Sequence, residues 1–368
     1  MVKVGRILAL GLGGLVLLGL LCAAGALSYR AYRQHELAPN LAITTPNGID
    51  EHMLIDAGGI KQFITIRGQD RHNPIILFVH GGPAETHSYF PEIYQPWEKD
   101  FTIVQWDQRG AGRTYGANAK PPADLNLKQM TRDGVEVAAW VTHHLAQPKV
   151  ILIGHSWGSI LGVHMVRAQP SLFSAYVGTG QVESWNTTVA AQYAYSVEHA
   201  QARHDNAALA ILKEIGPPPF KDLQTYIRFR QATRNDMAPS DAAFIARLRD
   251  LFLYAPRTSI FDYWDALNGG KAASALGPDM LAEDLPALGT DFLLPFFVIQ
   301  GADDHVTPTV AAKAYFERIQ APRKGFLAIE NAGHFAAMTK PIEFLDALKK
   351  TVLPAIAGGG AGDSLARP

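Results

Sequence analysis

The sequence predicts an α/β fold: a mostly parallel, doubly wound sheet with an inserted helical cap. Three observations predict it. Short apolar runs recur at Ile75–Val79, Phe101–Trp106, Val150–Ile153, Ala175–Val177, Phe296–Gln300 and Phe326–Ile329. They have the length and unbroken hydrophobicity of strands buried on both faces. Helical stretches separate them, most clearly Leu127–Leu145, Ser159–Ala168, Val310–Ile319 and Ile342–Val352, and strands alternating with helices imply a parallel sheet. Between Gln181 and Leu294 that alternation stops. The chain there reads as helices alone, Val189–His204, Ala207–Ile215, Leu223–Asn235 and Asp241–Tyr254, with Gly216-Pro217-Pro218-Pro219 as a breaker.

The organisation follows in chain order. Residues 1–33 form an N-terminal membrane anchor or signal segment, and 34–50 read as a polar tether. The α/β core covers 40–180 and 295–356, the helical cap 181–294, and the glycine-rich end, 357–368, is expected to be disordered. His52–Ile55 and Gln62–Arg67 flank Asp56-Ala57-Gly58-Gly59, a hairpin pattern around a glycine turn.

Lys3 and Arg6 precede Ile7–Leu27, which carries no charge. Twenty-one helical residues span about 30 Å, enough to cross a bilayer. Ala24 and Ala26 offer a signal-peptidase pattern, but apolar stretches of cleaved signals run only about 7–15 residues. An uncleaved anchor places the downstream domain outside the cytoplasm, and cleavage makes it secreted or periplasmic.

Composition excludes several classes. Basic and acidic residues number 33 and 34, with no basic stripe, so nucleic acid is not an expected partner. Cys22 is the only cysteine, which excludes a disulfide framework, a thiolate metal site and an iron–sulfur cluster within the chain. No cofactor or metal is expected.

The chemistry concentrates at Gly154-His155-Ser156-Trp157-Gly158, which follows the strand Val150–Ile153 and precedes a helix. A G-x-S-x-G turn in that setting points a serine hydroxyl away from the sheet as a nucleophile, and the glycines let strand and helix approach. A serine needs a base, and in such folds the acid and then the histidine follow it in the chain. His334, in Asn331-Ala332-Gly333-His334 after the last strand, fits the base. Asp303 and Asp304 both follow Phe296–Gln300, and the spacing G-x-x-D-x-x-x-P from Gly301 to Pro308 selects Asp304. The oxyanion donors are expected from the backbone N–H groups of Trp157 and of Gly82 in His80-Gly81-Gly82-Pro83, since Pro83 has none. His80 reads as structural. Asp107-Gln108-Arg109-Gly110 lacks the lysine ending of a nucleotide loop and reads as a turn braced by an Asp–Arg pair.

Together, His80-Gly81-Gly82-Pro83, Asp107-Gln108-Arg109-Gly110 and Gly154-His155-Ser156-Trp157-Gly158 resemble the signatures of the proline iminopeptidase branch of the α/β-hydrolases. The resemblance implies a serine hydrolase acting through an acyl-enzyme on a small peptide, with Ser156, Asp304 and His334 as triad and Gly82 and Trp157 as oxyanion donors. It also implies cap glutamates that hold the substrate's free amine. Glu183 is the acidic residue nearest the expected position, Trp185 a neighbouring substrate contact, and Glu198 a further candidate. Ala84 stands where the family has glycine. The cap is rich in aromatics, so a carboxylesterase with an apolar acyl pocket is the alternative, and a non-catalytic binding protein on a hydrolase scaffold is the alternative of another class.

Overall fold

The computed structural model describes residues 2–118, 120, 122 and 124–357, with side chains from residue 10 onward. The predicted disordered tail lies outside them except for Ala357, which closes a helical turn, Leu353–Ala357. Residues 2–37 form one helix, α1 (Val2–Leu37). A hairpin follows, β1 (Ile49–Ala57) and β2 (Ile60–Gly68), antiparallel from Ala57↔Ile60 outward. Gly58 and Gly59 turn it at φ 61° and 76°, a region where a Cβ is strained.

The parallel strands are β3 (Ile75–Val79), β4 (Thr102–Asp107), β5 (Val150–His155), β6 (Phe173–Thr179), β7 (Phe296–Gly301) and β8 (Lys324–Ile329). Order across the sheet is β1-β2-β4-β3-β5-β6-β7-β8, and only the β1/β2 and β2/β4 pairings are antiparallel. The strand order reverses beside β3, and ligands bind at such switch points, outside the carboxyl ends of the strands. Side chains alternate across the sheet. Leu77, Val104 and Leu152 pack on one face against α2 (Leu127–His144) and α3 (Trp157–Ala168), through Val137, Val141, Leu161 and Met165. Ile76, Phe78, Ile151 and Ile153 face the other side with Trp97, Phe344 and Leu348. Leu77 is fully buried, so Leu77→Ala would cost about 2–5 kcal/mol.

Between β6 and β7 the chain makes α4 (Trp185–Ala202), α5 (Asn206–Ile215), α6 (Leu223–Ala232), α7 (Pro239–Tyr254), α8 (Ile260–Ala272) and α9 (Gly277–Ala282). Ser184, Asp205, Asp222 and Ser259 cap four of these through side-chain oxygens that accept the N–H three residues on. Trp185, Val189, Leu212, Phe220 and Phe229 form a separate small core there. The helix α8 was not expected from apolar periodicity. Its start is nonetheless marked by a capping box between Ser259 and Asp262.

The expected tether begins later than its sequence implies. Residues 34–37 continue α1, because Gln34 Nε2 donates to Ala255 O (2.7 Å) and Thr258 O (3.0 Å). Arg30 donates to Thr258 Oγ1 at 3.1 Å, and the Tyr29 ring lies edge-on to Tyr254 at 5.8 Å. The polar end of α1 is thus fastened to the α7–α8 junction. From Leu10 onward its apolar stretch is wholly unburied.

Candidate active site

Ser156 occupies the turn between β5 and α3 at φ 54°, ψ −119°. For a non-glycine residue that backbone is strained, and such strain is held only where surrounding structure enforces it. Here the Ser156 N–H donates to Thr179 O at 3.0 Å. A Cβ on Gly154 would meet Gly158 O at 2.4 Å, and one on Gly158 would meet Val79 O at 2.1 Å. Strand and helix therefore approach too closely for any side chain at either position.

His334 follows β8, and its Nδ1 lies 3.0 Å from Asp304 Oδ2. Asp304 is fixed in turn. Its Oδ1 accepts the N–H groups of Val306 (2.9 Å) and Thr307 (2.8 Å), and Oδ2 accepts Thr307 Oγ1–H (2.8 Å). Burial would raise the Asp304 carboxyl, but the His334 charge and these bonds outweigh it and hold it below the usual range. Burial would lower His334, and the Asp304 carboxylate outweighs it and leaves the imidazole raised. Asp303 is half-buried, and its backbone N–H donates to Ala332 O. The structure brings Asp304, not Asp303, to His334.

A group that sequence reading missed holds this histidine from the cap. Asp241, in the first turn of α7, accepts the backbone N–H of His334 at 2.7 Å and of Phe335 at 3.2 Å. It is buried, and burial raises its carboxyl. Nothing local in Ser240-Asp241 signals a partner 93 residues away.

The expected oxyanion loop lies against the serine turn. Gly82 takes φ 107°, and Trp157 opens α3, where the first N–H groups have no intrahelical acceptor. His80 is buried and driven down to about 4 by burial. Its Nε2 accepts the Gln108 N–H at 3.2 Å, which leaves the proton on Nδ1 toward Gly81 O. Gln108 ties loop to helix: Nε2 donates to His80 O (2.8 Å), and Oε1 accepts Trp157 Nε1–H (3.2 Å). The Asp–Arg brace expected within residues 107–113 is built differently. Arg109 pairs with Asp133 of α2 at 2.7 Å, while Asp107 accepts the Arg113 backbone N–H at 2.9 Å and the Thr86 hydroxyl.

Ser156, His334, Gly82, Trp157 and Trp185 line one cavity of about 290 Å³. Glu183 is not among its walls. Its carboxylate is paired with Arg318 and its carbonyl accepts the Leu285 N–H, so the residue is committed to the cap base. Glu198 does not line the cavity either. The carboxylate that does is Glu85, two residues beyond Pro83. A Cβ on Gly82 would lie 3.2 Å from Glu85 Cγ, so this side chain leans on the oxyanion loop. It is open to solvent in the cavity, and enclosure by the surrounding protein raises its carboxyl against the opposing charge of His334. Glu85, Ile245 and Phe335 also border a second cavity of about 550 Å³, walled by Phe90, Phe244, Leu248, Phe252 and Met338. A large apolar space thus adjoins the serine. Among the described residues no group of His, Cys, Asp and Glu is arranged to hold a metal ion.

A family model described as alpha/beta hydrolase fold matches residues 74–341. The chain belongs to the alpha/beta hydrolase fold family. It is 28% identical over 305 residues to the "Probable aminopeptidase YbaC" of Bacillus subtilis (strain 168), covering 80% of this chain and 94% of that one. It is 24% identical to a "Proline iminopeptidase" of Lactobacillus crispatus (strain ST1), covering 79% and 94%. These relatives place this alpha/beta hydrolase in the proline iminopeptidase-like branch, as its three motifs imply. A solved bacterial structure described as a membrane phospholipase A superposes with a TM-score of 0.58 at 15% identity, covering 94% of this chain and 98% of that one, a likeness of fold. The protein is a hydrolase.

Proposed function

We propose that this alpha/beta hydrolase is a serine aminopeptidase that removes an apolar N-terminal residue through an acyl-enzyme on Ser156. The observation that carries the reading is His334, held 3.0 Å from Asp304 and facing the same cavity as a serine on a strained turn. His334 Nε2 takes the Ser156 Oγ proton while Oγ bonds to the substrate carbonyl carbon. Asp304 keeps Nδ1 protonated and stabilises the imidazolium. The carbonyl oxygen becomes an oxyanion held by the N–H groups of Gly82 and Trp157. The C–N bond breaks as the imidazolium gives its proton to the leaving amine. Water then adds by the same route and frees Ser156.

Glu85 sets the substrate class. In an aminoacyl group the ammonium is bonded to the carbon next to the reacting carbonyl, and Glu85 leans on the loop that receives that carbonyl oxygen. An unpaired carboxylate beside a developing oxyanion is repulsive, and a substrate ammonium removes the repulsion. The apolar cavity beyond Ile245 and Phe335 takes the side chain. A second reading, a carboxylesterase, is favoured by the volume of that cavity.

One assay separates them. Aminoacyl anilides with a free amine are compared with the corresponding des-amino acyl anilides and esters, for the wild type and Glu85→Gln. The substitution should raise KM for the free amine about tenfold to a hundredfold, the worth of a charge-assisted bond, and leave the des-amino compounds unchanged. Equal response of both classes would sink the clamp, and cleavage of esters alone would establish the esterase.

We further propose that residues 40–180 and 295–356 form the catalytic core with 181–294 as cap, and that α1 is an uncleaved anchor holding the catalytic domain outside the cytoplasm. Its apolar stretch covers no core and is long enough to span a bilayer. An intact mass beginning near Leu27 would overturn the anchor.

A further inference from the structure

The helix α8 is built inside out. Asp262 and Asp265 point into the protein, where they pair with Arg113 (2.8 Å) and Lys120 (3.6 Å). Gly269 lies on the same inward side against Gly110, its Cβ position 2.6 Å from Gly110 O. The opposite side carries Ile260, Phe261, Trp264 and Leu267, and Phe261 and Trp264 are 73% and 64% exposed. At 100° per residue these four share one stripe. A helix of a water-soluble domain turns its apolar stripe inward, so this one is reversed. Scattered single apolar residues on a surface need no explanation, but four on one helical face mark an interaction site.

The position of this stripe points to its occupant. Thr258, two residues before α8, accepts from Arg30 and Gln34 of α1. Arg30 lies three residues past Leu27, where the uncharged stretch of α1 ends. Two extended residues reach about 7 Å, and the four-residue step from Ile260 to Trp264 adds about 6 Å of helix. The stripe therefore starts within about 20 Å of the point where α1 would leave the bilayer, on the side of the domain that α1 fastens. Exposed Tyr29 and Tyr32, with Arg30 and Arg33, occupy that same level of α1. Aromatic rings and basic side chains gather at membrane interfaces because one end of each is apolar and the other is wet.

We infer that the outward face of α8, Ile260, Phe261, Trp264 and Leu267, beds into the lipid interface beside α1 as a second membrane contact. It fixes the orientation of the catalytic domain, which a single helix would leave free to swivel. The occupant is the bilayer surface, and the inference rests on α1 being an anchor. Tyr263 and Leu267 also wall the larger cavity, so that cavity borders lipid.

The test uses the full chain in phosphatidylcholine vesicles brominated on the upper acyl chain. Trp264 is the one strongly exposed tryptophan of six, and the emission lost in Trp264→Tyr is its own signal. That signal should lose most of its intensity to brominated lipid and resist aqueous iodide. The remaining tryptophans, unchanged in the variant, report that the fold is intact. Quenching by iodide but not by bromine, in chain that resists carbonate extraction, would overturn the second contact and leave the anchor standing. Release of the chain by carbonate would overturn both. Protection from both quenchers, together with crosslinking through α8, would assign the face to a second copy of this chain and overturn the bilayer assignment.

Discussion

The core and the cap contribute to one site by different physics. In the core, the proposed catalytic groups stand at strand ends, and two of them, Ser156 and Asp304, are positioned by their immediate chain neighbours. Ser156 is held by the glycines two residues either side, and Asp304 by the N–H groups of Val306 and Thr307. In the cap, the contributing groups act across long stretches of chain: Asp241 on the His334 loop, and Trp185 and Ile245 as cavity walls. In the proposed mechanism, strand ends supply chemistry, and packed helices supply position and enclosure. Substitutions in the two regions should differ in kind as well as in size.

Ser156→Ala is the largest test of the core. It should lower kcat by about 10⁴–10⁶-fold with the fold and substrate binding retained. A mutant keeping a tenth of the activity would dismiss the nucleophile. Next, Asp304→Asn should cost about 10³–10⁴-fold through a misoriented imidazole. Asp303→Asn, half-buried and off the histidine, should stay within about twofold of wild type. The reverse ranking would mean the acid was misassigned.

Asp241→Asn tests the cap. Losing one charge-assisted acceptor should lower kcat about tenfold to a hundredfold with KM little changed. Asp241 is also one of the anionic neighbours that raise His334. Its removal should therefore move the rising limb of the pH–rate profile to lower pH, which simple loosening of the fold would not do. A kcat loss with an unmoved limb would reduce Asp241 to a packing residue.

The smallest test is the wild-type profile. The proposed base is neutral His334, and its pKa is raised. Activity should thus be absent well below the ordinary histidine value and half-complete above it, not below. A limb centred under 6.5, the ordinary value, would contradict the carboxylate pairing.

The difference between the regions also explains what the sequence could tell. Buried strands are continuous apolar runs, so β3 and β5 could be read from Ile75–Val79 and Val150–Ile153. The turn at Ser156 announces itself because both glycines are enforced within five residues. Long-range partnerships leave no such mark. Glu183 was favoured by its place after β6, yet Arg318, far along the chain, draws its carboxylate away. Glu85 was legible in principle, as the charged residue closing His80-Gly81-Gly82-Pro83-Ala84. Its relation to the cavity emerges only once the cap lies over the loop. The helix α8 escaped because its apolar residues face outward, and a periodicity sought for core packing does not anticipate an outward stripe.

Asp241 carries a consequence for turnover. Its carboxylate belongs to the cap while the amides it grips belong to the histidine loop. Any movement that lifts α7 away must unhook those amides. With α7 raised, solvent would reach the serine, and the histidine loop would keep its Asp304 pairing but lose the cap's grip on its backbone. Such a latch would tie the setting of the proposed base to the seating of the cap.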